Sequence, residues 1–337
     1  MSDTVAAISG GELPVRPAGS VRERLYPPPA GRWQPVLLAI VAIAFVADGL
    51  WASLRHFDLD VAAYAKLGAL ALAFACAGAF YQTVRDRASL AAMLFGASFL
   101  VAFSATFSVL NYFLLTIAGA RIDTALAALD RDMGLDWPAM ITSLADEPAI
   151  NNVLRLAYNS VLPQVAALVI CLGWRQRPED IYRFCAALAV SAALAMAIWT
   201  AFPSFGAISV YNLPPALAAK LKLALDPDYA RELVRLLREG PGRISPGQVK
   251  GLIGFPSYHA AMALLVVRYA WPIRGLFWLF LALNVVVLLA TPVHGGHHVV
   301  DVIAGLALAI GVSVAVDALA TSGARRSDAG LLAPQTA

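Results

Sequence analysis

Charged residues are scarce in this chain of 337 residues. Asp, Glu, Lys and Arg together make up only 14% of it, whereas 60% is hydrophobic, and the mean hydropathy is +0.70. Ordinary soluble domains contain about 25% charged residues, so the composition excludes that class. A formal net charge of +3 is also too small to indicate a protein that binds nucleic acid.

Cysteine is rare as well. Cys76, Cys171 and Cys185 each lie inside or at the edge of an apolar run, where a thiol behaves as a small hydrophobic group. Their spacing matches no disulfide or metal-binding pattern. The chain also lacks a glycine-rich nucleotide-binding motif and an internal repeat. We therefore expect no cofactor.

Long apolar stretches, in contrast, are abundant. Crossing a bilayer core takes about 20 mostly apolar residues, and eight stretches approach that length. The predicted fold is therefore all-α, a polytopic transmembrane helix bundle with about eight membrane spans. The predicted spans are 34–54, 61–83, 89–118, 151–173, 181–202, 257–273, 275–292 and 298–320.

The two ends of the chain differ from its middle. Residues 1–33 are rich in Pro, Gly and Arg and are predicted to form a disordered cytoplasmic tail, with a second such tail at 322–337. The first apolar run is longer than the core of a signal peptide, and no small-residue cleavage site follows it. Residues 34–321 are expected to form one membrane domain that keeps its first span.

Arginine is distributed unevenly among the predicted loops. It is concentrated in both tails and in the second, fourth and sixth loops. These arginines are Arg16, Arg22, Arg24, Arg32, Arg85, Arg87, Arg175, Arg177, Arg183, Arg268, Arg274, Arg325 and Arg326. Short loops rich in Lys and Arg stay on the cytoplasmic side. We therefore predict that both termini are cytoplasmic and that the remaining loops face outward.

The outer loop at 203–256 is too long for a simple turn. Within it, DPDYARELVRLLREGPG (226–242) predicts an amphipathic helix that begins near Asp226 and ends at Gly240. Its apolar stripe consists of Tyr229, Leu233, Leu236 and Leu237, and its basic face of Arg231, Arg235 and Arg238. We expect this helix to lie among the lipid headgroups, or one of its arginines to reach an anionic substrate.

The sixth span begins in a way that suits an anion. In GLIGFPSYHAAMALLV (251–266), Pro256 fits the first position of a helix, Ser257 and Tyr258 lie in its first turn, and His259 follows. A helix N-terminus presents unpaired N–H groups and a partial positive charge. His259 is therefore predicted to lie where a phosphate group would bind.

Three of the five histidines lie in TPVHGGHHVVDVIAG (291–305), where the seventh loop meets the last span. His297 and Asp301 are four residues apart and share a helix face, so we expect Asp301 to accept the N–H of one ring nitrogen. That bond would fix the tautomer and leave the other nitrogen as a nucleophile. Gly295 and Gly296 leave room for a ligand beside the backbone. An ionisable pair at the end of a span indicates function.

FPSYH and GGHHVVD resemble the second and third signature motifs of the type 2 phosphatidic-acid phosphatase superfamily, in particular its branch related to inositol phosphorylceramide synthases. The similarity is close over 251–305, and RLAYNSVLPQ (155–164) is similar, more loosely, to a segment that precedes the motifs in that branch. The matching residues are Phe255, Pro256, Ser257, His259, Gly295, His297, His298, Asp301, Ala304 and Gly305.

The resemblance implies an integral membrane lipid phosphatase or lipid headgroup phosphotransferase in the plasma (inner) membrane, with its site facing outward and a phospholipid or other lipid phosphoester as substrate. It implies that His297 attacks phosphorus and forms a phosphohistidine, with Asp301 orienting its ring. His259 would protonate the leaving oxygen and later activate the acceptor, and Ser257 would bind the phosphate. No metal is required.

Two phosphate-binding cations of the wider superfamily are missing. Its first motif, Lys-x6-Arg-Pro, has no match, and Ala290 and Thr291 occupy the positions of Ser-Arg in its third. The charge of the phosphate must then be neutralised by other groups, with Tyr258, Gly295 and Gly296 completing the substrate site. The candidate groups are His294, His298, Lys250, Arg243, the basic face of the loop helix, and Arg155, which begins the fourth span on the outer side against the charge rule.

Two other functions stay open. The spacing of His294, His297, His298 and Asp301 could hold a divalent metal ion, although that leaves the Pro-Ser-x-His segment unexplained. A lipid transporter or scramblase could bind a headgroup at the same place without chemistry.

Overall fold

The computed structural model describes residues 33–211, 213–225 and 229–331, and within these ranges it is built of helices and loops with one isolated β-bridge. The predicted tails at 1–32 and 332–337, and the loop-helix start at 226–228, lie outside the described residues. The helices are α1 (Trp33–Arg55), α2 (Val61–Thr83), α3 (Ala88–Leu114), α4 (Asp123–Asp132), α5 (Trp137–Ala145), α6 (Pro148–Asn159), α7 (Val161–Trp174), α8 (Pro178–Ala201), α9 (Pro215–Leu221), α10 (Tyr229–Glu239), α11 (Tyr258–Ala270), α12 (Arg274–His294) and α13 (Val299–Leu331).

The prediction of an all-α polytopic bundle is confirmed. Six helices are long and apolar enough to cross a membrane, namely α1, α2, α3, α8, α12 and α13, and the pair α6–α7 makes a seventh candidate. Many of their apolar side chains are exposed on the surface of the chain, as lipid contact requires. The last helix continues to Leu331, so the residues 322–331 assigned from sequence to a tail are helical.

The sixth predicted span is a shorter helix than expected. Its 13 residues, α11, extend about 20 Å, less than the ~30 Å of a bilayer core. The helix ends at Ala270, just before Trp271 and Pro272, because proline disfavours helical geometry in the residue that precedes it. It packs against α7, α8, α12 and α13, and its small residues Ala260 and Ala261 are fully buried. A helix too short to cross the bilayer thus packs against four others.

The fourth predicted span, at 151–173, is two helices. α6 and α7 meet at Ser160 with a bend of 49°. The cause is Pro163, which has no N–H to donate to the Asn159 carbonyl and whose ring would collide with it. The bend lets α6 leave the axis of α7 and pack against α12.

Successive long helices run in opposite directions, which divides the loops between two ends of the bundle. One end, where α11 and α13 begin, also holds α4, α5, α9 and α10, and we call it the histidine end. The opposite end holds the loops at 84–87, 175–177 and 271–273. At that end, Arg183 and Arg268 both pair with Asp317.

The loop at 203–256 covers the histidine end. Its predicted helix is present as α10, but the apolar stripe faces protein: Leu233 and Leu236 are buried in a cluster that includes Phe113 and Trp137. The apolar stripe therefore packs on protein, because the same amphipathic pattern serves for packing on a protein surface. That the helix lies among the lipid headgroups stays a prediction. Arg235 pairs along the outer face of α10 with two glutamates, Glu232 and Glu239.

α13 approaches α11 closely at one glycine. A Cβ atom at Gly305 would lie 2.2 Å from the Ser257 carbonyl oxygen, which is far inside contact distance, whereas a Cβ atom at Gly311, two turns further along, would meet nothing within 4 Å. The Ser257 N–H, in turn, donates to the Asp301 carbonyl at 2.9 Å. The glycine therefore permits the contact that joins the starts of the two helices.

Gly305→Ala should lower the free energy of unfolding by about 2 kcal/mol, because the two helices must separate to admit the methyl group. Gly311→Ala, on the same helix, should leave stability unchanged or raise it slightly. Thermal unfolding of the purified protein in detergent measures both. Equal stability of the two variants would contradict the close approach.

Candidate active site

The His297 ring is held through its Nδ1 nitrogen. Nδ1 lies 3.1 Å from the Gly254 carbonyl oxygen and 3.3 Å from Oδ2 of Asp301. Because both are acceptors, Nδ1 carries the proton and donates, and Nε2 keeps its lone pair. The contact predicted between His297 and Asp301 is thus present, and the Gly254 carbonyl shares the same N–H. Both side chains are buried.

The free Nε2 of His297 faces the start of α11. The Ser257 hydroxyl lies 3.3 Å from it and is fully buried. Ser257 is the N-cap residue of α11, and its Oγ accepts the Ala260 N–H at 3.3 Å. Pro256 therefore precedes the cap rather than occupying the first helical position, because a capping serine needs extended backbone geometry. The result is a nitrogen lone pair aimed at a helix N-terminus.

His259 lies one residue inside α11 and belongs to the same cluster. Its Nε2 donates to the Tyr158 carbonyl at 2.9 Å, and its ring stacks on that of Tyr158 with 4.0 Å between centroids. The carbonyl fixes the proton on Nε2 and leaves Nδ1 as the second, exchangeable position. The break after α6 places Tyr158 at the end of that helix, which gives His259 both its hydrogen-bond acceptor and its stacking surface.

Gly295 lies between the His297 ring and the stacked rings of His259 and Tyr158. A Cβ atom there would lie 2.7 Å from Cδ2 of His297 and 3.0 Å from the Tyr158 ring. Gly296 has a φ of +64°, and a Cβ atom on it would lie 2.7 Å from Ile208. The space expected beside these glycines for a ligand is therefore occupied by protein groups that must approach closely.

His298 points away from His297, toward two aspartates of α4. Its Nδ1 lies 3.4 Å from Oδ2 of Asp130, and its Nε2 lies 3.9 Å from Oδ1 of Asp123. The ring is fully buried. His298 was predicted to bind substrate, but its position makes it part of the support behind His297.

The two aspartates of α4 fix two loops of the histidine end. The carboxylate of Asp130 accepts the N–H groups of Val299 and Val300 at 3.0 and 3.1 Å, which caps the start of α13. Oδ1 of Asp123 accepts the Ser204 hydroxyl and the N–H groups of Phe205 and Gly206, at 2.8 to 3.0 Å. The Gly206 turn in turn packs on the Gly296 carbonyl. α4 thus sets the backbone on both sides of His297.

Of the predicted cations, Arg155 is the one on the same helix as Tyr158. It lies one turn before Tyr158, its Nη2 donates to Asn152 at 3.3 Å, and its buried Nε makes no hydrogen bond among the described residues. His294 is fully buried at the end of α12, close to Arg155 and the Asn151 backbone. This corner therefore holds an arginine with donor capacity left for an anion.

Two other predicted substrate ligands are engaged elsewhere. Arg243 pairs with Asp60 at 3.4 Å, at the start of α2. There the Ala63 N–H, with further help from Ser245 and Arg243, holds the pKa of the Asp60 carboxyl below its usual range. The Tyr258 hydroxyl donates to the Leu188 carbonyl of α8 at 3.1 Å, which ties it to the bundle core.

Lys250 lies in the loop that leads to Ser257, and its backbone is held by a hydrogen bond. Its N–H donates to the Tyr112 hydroxyl at 2.9 Å. The next residue, Gly251, accepts a hydrogen bond from the Tyr229 hydroxyl. These contacts tie the approach to Ser257 to α3 and α10.

The side chains considered for a metal site have different partners. His297 faces Asp301 and Ser257, whereas His298 faces α4 and His294 faces α6. In the part of the chain that the structure describes, no three His, Cys, Asp or Glu side chains form a group that could hold a metal ion.

Sequence reasoning missed several functional neighbours, namely Tyr158, Gly254, Ser204, Asp123 and Asp130. Asp123 and Asp130 are seven residues apart, a spacing that places both on one helix face, and this was the available signal. Tyr158 is three residues after Arg155, which likewise places the two on one face. The role of Gly254 could not be predicted from side-chain patterns, because it uses the backbone carbonyl.

Together, the fold and this arrangement define an integral membrane protein with a histidine-based site at one end of a helix bundle. The family model described as the PAP2 superfamily matches residues 124–315, more than half of the chain, and the protein belongs to that superfamily. The match includes α4 as well as both histidine motifs. No curated protein and no solved structure matches the chain.

Asp130→Ala should loosen the start of α13, because the Val299 and Val300 N–H groups lose their acceptor. We expect a loss of about 2 kcal/mol in unfolding free energy and faster amide exchange in the peptide that contains residues 297–301. Hydrogen–deuterium exchange mass spectrometry measures the second effect directly. Asp132→Ala, an exposed residue of the same helix, is the control. Unchanged exchange at 297–301 in Asp130→Ala would contradict the capping role.

Proposed function

We propose that the protein is a phosphatase or phosphotransferase that acts on a membrane lipid phosphoester through a phosphohistidine at His297. The observation that carries this proposal is the orientation of the His297 ring. Its N–H is used by Gly254 and Asp301, and its lone pair faces the Ser257 cap of α11. A nucleophile aimed at a helix N-terminus is aimed at the place where a phosphate group would bind.

In the first step, Nε2 of His297 attacks phosphorus, and a P–N bond forms as the P–O bond to the lipid breaks. His259 enters this step doubly protonated, with its Nε2 proton held by the Tyr158 carbonyl, and the leaving oxygen takes the proton on Nδ1, which leaves the ring neutral. The phosphorylated ring becomes positively charged, and the buried carboxylate of Asp301 stabilises that charge. The Ser257 hydroxyl turns from Nε2 to a phosphate oxygen.

In the second step, an oxygen nucleophile attacks phosphorus and the P–N bond breaks. Its proton passes to His259, and the electron pair of the P–N bond returns to Nε2 of His297. Water as the nucleophile releases phosphate, and an alcohol gives a new phosphoester. Arg155, with its remaining donor capacity, supplies positive charge in place of the missing superfamily cations.

The placement of the site supports a lipid substrate at the outer face of the plasma (inner) membrane. The loops at 84–87, 175–177 and 271–273 lie at the end opposite the histidines. Because arginines lie in these loops or next to them, we expect that end to face the cytoplasm. A site at the mouth of a helix bundle lets the acyl chains stay in the bilayer. The missing Lys-x6-Arg-Pro and Ser-Arg motifs favour the branch that resembles inositol phosphorylceramide synthases, and both water and an alcohol stay open as acceptor.

The histidine roles predict distinct losses of activity. Purified protein is incubated with a panel of lipid phosphoesters and acceptor alcohols, and the products are identified by mass spectrometry. His297→Asn should give no product, because no P–N bond can form. His259→Asn should lower kcat by roughly 10²- to 10⁴-fold, the usual worth of general acid–base catalysis. His56→Asn, in an exposed loop, is the control and should match the wild type.

The contradicting outcome is a wild-type product pattern from His297→Asn. If the protein moves lipids without chemistry, lipid transport persists in His297→Asn and no product forms with any variant. Trapping with radiolabelled substrate adds a second readout. The label should be bound to protein in an acid-labile, base-stable form in the wild type and be absent from His297→Asn.

Asp301→Asn should separate ring orientation from substrate binding. An amide can present its NH₂ group to Nδ1, which favours the tautomer with the proton on Nε2, so we expect kcat to fall on the order of 10³-fold with little change in KM. Steady-state kinetics of Asp301→Asn beside Asp132→Asn measures this. A rise in KM with kcat preserved would instead make Asp301 a substrate-binding residue.

A further inference from the structure

A cleft runs between α1 and α2, on the side of the bundle away from α13. Both helices pack on α3, and they make few contacts with each other although only residues 56–60 join them. Two cavities of about 380 and 580 Å³ lie along this cleft and share the lining residues Leu38, Val41 and Ala102, so they adjoin each other. The larger cavity is the one nearer the histidine end.

The larger cavity is apolar except near one end, where Asp48 lines it. The Asp48 side chain is only 7% exposed, and its Oδ1 atom has no hydrogen-bond partner in the described structure. Tyr64 of α2 lines the same cavity. A carboxyl group buried without a partner is costly, and an ionisable residue within a membrane helix indicates a binding or transport role. The cavity therefore presents an unused acceptor to whatever occupies it.

The dimensions suit one lipid chain. From Leu38 to Asp48 the cavity follows ten residues of α1, about 15 Å, and half of a ~30 Å bilayer core is the same length. Gly49 and Gly68 line the cavity, and a Cβ atom at either would meet nothing within 4 Å. Small residues thus keep the cleft open where larger ones would fit.

The polar end of the occupant must be small and neutral. An anionic headgroup would be placed unfavourably against the Asp48 carboxyl group. An ammonium group would have to lose its hydration water in the apolar cleft, which costs free energy. A hydroxyl group donates one hydrogen bond and has neither cost. Leu59, which also lines this end, forms a bridge with Ile244 of the loop that leads to Ser257. The Asp48 end therefore lies beneath the loop that covers the histidine end.

We propose that the α1–α2 cleft binds a lipid alcohol, with its alkyl chain between the helices and its hydroxyl group donating to Oδ1 of Asp48. A lipid alcohol is the lipid product of phosphoester hydrolysis and an acceptor for phosphoryl or headgroup transfer. The role of the lipid alcohol as product or acceptor rests on the proposed function, whereas its binding in the cleft is independent of that function.

The test uses a photoreactive long-chain alcohol and its methyl ether, which has the same chain and no donor. Full-length protein in detergent is irradiated with each probe, and the labelled peptides are identified by mass spectrometry. We expect the alcohol to label α1, α2 or α3 about ten-fold more than the ether, the worth of one hydrogen bond to a carboxyl group. Asp48→Leu should reduce labelling by the alcohol to that of the ether.

Filling the cleft provides the matched control. Gly68→Phe should abolish labelling by both probes, whereas Gly311→Phe, at an equally open glycine of α13, should not change it. His297→Asn should also label as the wild type does, so the proposal survives even if the catalytic proposal fails. Equal labelling of the wild type by the two probes overturns the proposal. If Asp48→Leu does not fold, competition on the wild type decides: equal displacement by unlabelled alcohol and unlabelled ether overturns it.

Discussion

The site depends on one shared hydrogen bond, in which Nδ1 of His297 donates to the Gly254 carbonyl and to Asp301. Two acceptors on one N–H leave the ring a single tautomer, and the geometry then directs the Nε2 lone pair at the start of α11. An imidazole free to exchange tautomers would spend part of its time with a proton where the lone pair has to be. Burial strengthens this preference, because an unpaired N–H or carboxylate in this environment is costly.

That bond forms only while two chain segments keep their relative position. Gly254 comes from the loop before α11, and His297 and Asp301 flank the start of α13. The direct tie between them is the Ser257 N–H bond to the Asp301 carbonyl, which requires the close approach at Gly305. α4 supplies the outer support through Asp123 and Asp130. The family match begins at residue 124, within α4, so it includes Asp130 and begins one residue after Asp123.

The sequence predicted those parts of the molecule that depend on local patterns. Apolar length identified every long helix, and a four-residue spacing predicted the His297–Asp301 contact. It did not predict what depends on distant partners. An apolar stripe such as that of α10 looks the same whether it faces lipid or protein, and the glycines of the third motif looked like openings for a ligand although protein atoms surround them.

The acidic residues of α4 were missed for a related reason. Asp123 and Asp130 occur in a loop rich in aspartates, where solvated carboxylates are the ordinary expectation. Only their seven-residue spacing distinguishes the two that are buried from exposed Asp132. Asp123 accepts the Phe205 N–H, 82 residues further along the chain, and Asp130 accepts the Val299 N–H, 169 residues further along. The break in the fourth span, in contrast, was foreseeable from Pro163, whose missing N–H and ring disfavour a continuous helix.

The most direct test of the account is the tautomer of His297 in the resting protein. Nitrogen NMR of protein labelled in its imidazole rings, with the His297 signals assigned by their loss in His297→Asn, distinguishes a protonated from a bare ring nitrogen. The account predicts a proton on Nδ1 and a bare Nε2. A proton on Nε2, with Nδ1 bare, would contradict it, because the nitrogen that faces Ser257 would then have no lone pair with which to attack phosphorus.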